Sequence, residues 1–178
     1  MSVTLRPVVP PQDRLLIRDV EPHTPDADEL AALVEASWGA PVISRGRAHD
    51  VRELSGLLAE QDCEVVGALT YEMRDGEMEV VTIEALRAHE GVGTGLLEAA
   101  TALAQAAGCR RLWLMTTNDN LDALRFYQRR GMRLVAVHPG AVDAARRRKP
   151  SIPEVGAHGI PLHDELELEI GLTGPWRT

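Results

Sequence analysis

Apolar positions along this chain recur with two spacings, and the switches between them predict strands and helices in turn. Residues 15–20 read as a first strand. Thr24-Pro25-Asp26 has the form of a helix start, with Pro where its missing N–H costs nothing. Residues 27–37 continue as a helix until Trp38-Gly39-Ala40-Pro41 stops it. Residues 42–54 fit neither spacing, apart from a short helical turn near 49–54. Stretches 56–60, 64–73 and 77–86 read as three strands, the last two joined by the hairpin turn Arg74-Asp75-Gly76. Helical spacing returns over 94–107 and ends at Gly108, a residue free to turn left-handed past a helix end. A strand over 111–116, a helix over 121–130 with Gly131 behind it, and a strand over 133–137 follow. Residues 164–172, Asp-Glu-Leu-Glu-Leu-Glu-Ile-Gly-Leu, alternate strictly and read as a half-buried closing strand.

Strand 77–86, a glycine loop, helix 94–107 and strand 111–116 make a βαβ unit. The two strands are therefore expected to run parallel with a right-handed crossover. The other strands read as antiparallel neighbours. The predicted fold class is α/β in the α+β sense, a mixed, mostly antiparallel central sheet with flanking helices. At 178 residues the chain fits one domain, 1–178, with a long insert at about 139–163. A loop of that length inside a compact domain is usually functional or disordered. We expect a lid or wall pinned by Ile152, Ile160 and Leu162, with its glycines as mobile points.

Composition narrows the class. Hydrophobic residues make up 44% of the chain and aromatics only 3%, so Leu, Val and Ala carry the packing. No apolar run approaches a membrane span, and the N-terminus lacks a signal-like apolar stretch. Cys63 and Cys109 follow neither a metal spacing nor a disulfide framework, so a reduced, cytoplasmic protein with no metal is the expectation. A net charge of −8 argues against nucleic-acid partners and is compatible with a cationic amine.

The densest chemical signal is residues 90–97, Glu-Gly-Val-Gly-Thr-Gly-Leu-Leu. A glycine turn between strand and helix aims backbone N–H groups and the positive end of a helix dipole at one spot, which suits a phosphate. A dinucleotide fold wants Gly-x-Gly-x-x-Gly and a later acid, and here the spacing is Gly-x-Gly-x-Gly with no timely acid. A Walker loop wants Gly-Lys-Ser/Thr, which is absent. The third scheme, a coenzyme A loop, is decided by what lies downstream.

Asn120-Leu-Asp-Ala123-Leu-Arg-Phe126-Tyr127-Gln-Arg-Arg-Gly131-Met132 resembles the Asn-x-x-Ala-x-x-Phe-Tyr-x-x-x-Gly-Phe motif of the GNAT N-acetyltransferase superfamily, with Met132 in the last place. The resemblance covers roughly residues 50–138 and the last strand. Two positions depart from the family: Ala88 stands where Arg or Gln is usual, with Arg87 one place off, and Glu90 stands where a basic residue is common. The resemblance implies a GNAT-like fold that takes acetyl-CoA as cosubstrate. Its pantetheine arm would lie between splayed parallel strands, against Ile83, Ala85 and Leu86. Its pyrophosphate would lie on the loop formed by Gly91, Val92, Gly93, Thr94, Gly95 and Leu96. Asn120 would bond the pantetheine arm, and Tyr127 would serve as catalytic acid.

Acyl transfer to an amine needs a base for the ammonium proton, a donor for the oxyanion and an acid for the departing thiolate. Tyr127 is the expected acid, although its spacing from Ala123 also fits plain core. Asn120 also fits a helix N-cap. For the base, strand alternation puts Glu79 on one face and Glu84 on the other, so only one could face the cleft. His138 is an outside candidate. The basic run Arg146 to Lys149 reads as a solvated helix end or as a contact to phosphates or an acidic substrate. The expected activity is acetyl-CoA-dependent N-acetylation of a small amine or a peptide amino group, the acceptor being set by residues 36–54 and 139–163. The alternative is a non-catalytic acyl-CoA sensor. A homodimer is left open.

Overall fold

The structure, a computed structural model, describes residues 15–87 and 90–172. A mixed sheet runs in the order β1 (Leu16–Val20), β4 (Ser55–Gln61), β5 (Glu64–Arg74), β6 (Glu77–Ala85), β7 (Arg111–Thr117), β9 (Glu165–Gly171), β8 (Arg133–His138). Only β6 and β7 are parallel, as the βαβ reading requires; every other pairing in it is antiparallel. The flanking helices are α1 (Pro25–Trp38), α2 (Val92–Ala106), α3 (Leu121–Gln128) and α4 (Ala141–Arg148). No helix among the described residues is long and apolar enough to cross a membrane.

Each sheet face buries its own core. Leu96 and Ala100 of α2 pack with Leu57, Leu69, Met78, Leu112, Leu114 and Leu168. On the opposite face Leu30, Ala31 and Val34 of α1 pack with Leu58, Ala68 and Val81. Thr24 caps α1 as expected, its Oγ1 accepting from the Ala27 N–H at 3.3 Å.

Two regions differ from the sequence reading. Residues 42–54 hold a small hairpin, β2 (Val42–Ser44) paired with β3 (Arg47–His49), ahead of the 3₁₀ turn at Val51–Glu53. The insert is built rather than loose. It contains α4, and polar groups seat it: Asn118 donates to the Pro161 carbonyl at 2.8 Å and accepts from the His163 and Asp164 N–H groups. Asp119 accepts from the Ala157 N–H at 2.7 Å and fills the space where a Cβ on Gly156 would lie. Leu162 is buried, whereas Ile152 and Ile160 are only partly so. In the basic run Arg147 and Arg148 are exposed, as at a solvated helix end, whereas Arg146 braces the insert, donating to Asp143 and to the Ile152, Pro153 and Leu162 carbonyls.

The third difference is small and decides the site. The β5–β6 register slips between Thr70 and Tyr71, which lie opposite Thr82 and Val80, so Val81 is an extra residue on β6. A bulge of this kind shifts every later side chain to the other face. Val80 and Ile83 consequently both pack on the α2 side, and Val81 packs on the α1 side.

Candidate active site

Strands β6 and β7 pair only from Glu77↔Arg111 to Val80↔Leu114, although both continue past that point. Their C-terminal ends part beside the bulge. Among the described residues, the edge of residues 81–85 that faces β7 has no strand partner.

The N-terminus of α2 stands at the end of this cleft. Gly91 takes φ +83°, a conformation costly to any residue with a Cβ. The first helical bond runs from the Gly95 N–H to the Gly91 carbonyl at 2.9 Å, so the Val92, Gly93 and Thr94 amides have no helical acceptor. No side chain caps this end, and no acid sits in its first turn. An anion is the natural partner for such a terminus. The Val92 and Leu96 side chains are buried in the core, so these residues can offer a ligand only backbone. Gly95 is small for packing: a Cβ there would lie 2.8 Å from Leu15 Cδ2. Gly93 sits beneath the Phe126 ring.

Sequence reasoning missed the cation beside this terminus. Arg130 donates from Nε to Thr94 Oγ1 at 2.9 Å, makes a second bond there through Nη2, and lies 3.7 Å over the Phe126 ring. It thus brings to the loop, from behind α3, the charge that Ala88 and Glu90 do not provide. The i, i+4 spacing of Phe126 and Arg130 was the available signal. Arg87 is engaged with Glu64 at 2.6 Å and Glu90 at 3.9 Å. A groove of about 530 Å³ continues from Thr94 along α2, walled by Thr101, Arg129, Arg130 and Ile170.

Tyr127 projects from α3 into the core cluster and is 7% exposed, as the core reading of its spacing expects. Burial pushes its phenol well above the usual tyrosine range, and the charge of Glu84 adds to the effect. Tyr127 and Glu84 therefore sense each other across the parted strands. Asn120 caps α3, its Oδ1 accepting from the Ala123 N–H at 3.1 Å. Ala85 and Leu86 are exposed beside the loop, and Ile83 is partly buried.

The expectation that Glu79 and Glu84 point opposite ways is overturned by the bulge. Both lie on the α1 face, opposite Glu72 and Ala68 of β5. Glu84 accepts from Trp38 Nε1 at 3.1 Å, and Glu79 from Ser44 Oγ at 2.7 Å. Glu79 is 5% exposed, and burial raises its carboxyl above the ordinary value, opposed by the Ser44 bond and by Arg47 and Arg45. His138 is held by Glu167 at 3.1 Å.

Further acids line the same face. Glu165 and Glu167 of β9 are buried there, although the alternation of β9 marked that face only as polar. Arg111 binds Glu77, Glu167 and Glu169 at 2.7–2.9 Å. Arg45 caps the Trp113 ring at 5.2 Å, and its N–H reaches Glu165 at 3.2 Å.

This geometry has counterparts among known proteins. Residues 18–132 match the sequence profile of the Acetyltransferase (GNAT) family. The chain is 41% identical over 132 residues to Uncharacterized protein YdhI of Bacillus subtilis (strain 168), covering 72% of this chain and 82% of that one. Its fold is similar to a Bacillus subtilis acetyltransferase solved in complex with CoA, with TM-score 0.68, 20% identity, and 90% and 100% of the two chains covered. It is also similar to a GNAT family acetyltransferase from Elizabethkingia anophelis with acetyl-CoA bound, with TM-score 0.66, 20% identity, and 90% and 99% covered. With the profile spanning most of the chain, the parted strands and the glycine loop have their explanation: this protein belongs to the GNAT acetyltransferase family.

Proposed function

We propose that this protein is an acetyl-CoA-dependent N-acetyltransferase that moves the acetyl group directly from the thioester to a primary amine of a small molecule or peptide. The observation that carries the reading is the cleft itself. Two parallel strands part at Val80 and Leu114, the uncapped α2 N-terminus stands at their end, and Tyr127 and two acids flank the gap. The coenzyme pyrophosphate would lie on the Val92–Thr94 amides beside Arg130, with the pantetheine arm along the open edge of β6. The CoA and acetyl-CoA bound in two proteins of this fold support that placement.

An alkylamine is mostly charged at pH 7, and freeing its lone pair costs roughly 4–5 kcal/mol. A buried carboxylate whose own proton affinity is raised makes a better acceptor for that proton than an exposed one. Glu79 has this character, acting directly or through water. The amine nitrogen attacks the carbonyl carbon, and the carbonyl electrons move to oxygen, where backbone N–H groups at the open β6 edge can receive the charge. Collapse re-forms the carbonyl and expels the thiolate, which takes the Tyr127 proton; the extra proton on the nitrogen is lost through solvent to the phenolate, and Glu79 releases the ammonium proton to solvent. Burial and the neighbouring Glu84 charge hold the proton on that phenol, an opposition that the charge developing on the departing sulfur must overcome. Glu84, tied to Trp38 at the rim, is placed to attract the cationic acceptor.

Calorimetric titration with acetyl-CoA, then release of free thiol across a panel of primary amines, tests the reading. Micromolar binding with amine-dependent release is expected. Binding without release from any amine would favour a non-catalytic acyl-CoA sensor.

A further inference from the structure

The β2–β3 hairpin is too short to contribute a core, yet it touches four acids of the acceptor face. Its residues Val42, Ser44, Arg47 and His49 share the side turned to the sheet. Ser44 bonds Glu79, Arg47 bonds Glu72 through two N–H groups, and the Arg45 N–H bonds Glu165. The insert clasps this hairpin from outside. Arg148 donates to the Gly46 carbonyl in its turn, and Lys149 Nζ donates to the Trp38 and Pro41 carbonyls at 2.8 and 2.9 Å. One clasp therefore fixes both Trp38, which bonds Glu84, and the strand that bears Ser44.

We propose that Ser44 is a positioning residue for the reaction, holding the Glu79 carboxylate in place through its hydroxyl, and that the Arg148–Lys149 clasp holds Ser44 there. This rests on the reading of Glu79 as the proton acceptor. A buried carboxylate favours its neutral form unless hydrogen bonds compensate. Charged neighbours also act on Glu79: Arg45 and Arg47 from the hairpin and Glu72 from β5, while on the same face Arg111 of β7 pairs with Glu77, Glu167 and Glu169. Of these groups, Ser44 alone is seen in direct hydrogen bond to Glu79. An acid pinned in one rotamer and kept partly ionised can take a proton at neutral pH. Loss of its hydroxyl partner would favour the neutral form of that acid.

The test follows Glu79 by ¹³C-carboxyl NMR of labelled glutamate, its resonance assigned by disappearance in Glu79→Gln. Ser44→Ala should move the titration midpoint upward by about one pH unit, as expected for loss of a hydrogen bond to a charged group. Ser44→Thr, which keeps the hydroxyl, should restore it. Arg148→Ala combined with Lys149→Ala should shift it in the same direction by less. A midpoint unmoved in Ser44→Ala, or moved equally in Ser44→Thr, overturns the proposal. A parallel pH–rate profile of thiol release, using the best amine of the panel, judges the underlying reading. If Glu79→Gln keeps full turnover and its acidic limb, Glu79 is not the proton acceptor, whatever Ser44 does to its ionisation.

Discussion

Gly93 is the glycine whose substitution best tests whether the α2 N-terminus holds phosphate. A Cβ there would stand 3.2 Å from Cζ and 3.4 Å from Cε2 of Phe126, with Ala85 Cβ at 3.9 Å. Alanine asks the ring to yield by a few tenths of an ångström, and its better helix propensity offsets up to about 1 kcal/mol. Valine presses two more methyls on the same surroundings, and overpacking of this kind costs roughly 1–3 kcal/mol. The ring does not move alone, because Arg130 lies 3.7 Å over it and is tied to Thr94. Displacing Phe126 therefore draws the cation away from the amides. A hydrogen bond to a charged group is worth about 1.5–3 kcal/mol, so Gly93→Val should weaken coenzyme A binding by about 10- to 100-fold. The melting temperature should fall by roughly 2–10 °C. Gly93→Ala should sit near wild type in both. Isothermal titration with coenzyme A and scanning calorimetry measure the two effects. Thr94→Val is the control, since it removes the acceptor for Arg130 without crowding and should weaken binding without a large loss of stability. A folded Gly93→Val that binds coenzyme A as well as wild type would refute the assignment of these amides and Arg130 to phosphate.

Other substitutions probe the remaining parts. Tyr127→Phe should lower turnover about 10²-fold with little change in coenzyme affinity; near-normal turnover, with chemistry shown to be rate-limiting, would reduce Tyr127 to core. Glu79 has its folded pKa raised above the ordinary 4.5, so its contribution to stability is intact below that value and lost as pH rises through the folded pKa. Glu79→Gln should therefore melt higher than wild type at pH 8, with the gap closing towards pH 4; a constant gap would mean the carboxylate is not strained by burial. Asn118→Ala removes three hydrogen bonds of 2.8–3.0 Å to the insert. At about 1 kcal/mol each, less for partial exposure, it should cost roughly 2 kcal/mol and speed amide exchange at His163 and Asp164 while coenzyme affinity holds; unchanged exchange would show that the insert is seated by other contacts.

Much of this architecture was legible because it is local. The glycine loop, the Arg74–Gly76 turn and the Thr24 cap are each specified by a few adjacent residues, and the parallel strands follow from connection length and handedness. The misread parts depend on distant partners. Helix α4 follows Pro139-Gly140, which reads as the start of a loop, and it begins without a side-chain cap. The Gly140 N–H instead bonds Asp164 Oδ1 at 2.8 Å, from a residue 24 positions away. The β2–β3 hairpin turns at Arg45-Gly46, a weak turn signal, and its strands are three residues each, too short for a period to register.

The bulge and the buried acids mark the limit of periodicity more sharply. Val80, Val81 and Thr82 are all buried and suit a strand whichever way they point, so nothing in that run betrays an extra residue. One unseen residue moved Glu84 to the face of Glu79 and turned two competing candidates into neighbours on one wall. On β9, alternation correctly sent Leu166, Leu168 and Ile170 to the α2-side core and Glu165, Glu167 and Glu169 to the other face. Period alone says that the second face is polar; it does not say that the face is covered. Arg111, Arg45 and His138 cover it, together with a hairpin and an insert that meet there from opposite ends of the chain. Burying so many carboxylates against so few cations opposes folding. Under the proposed function, a sheet face of this kind is explained by what it would do to a bound amine rather than by what it adds to stability.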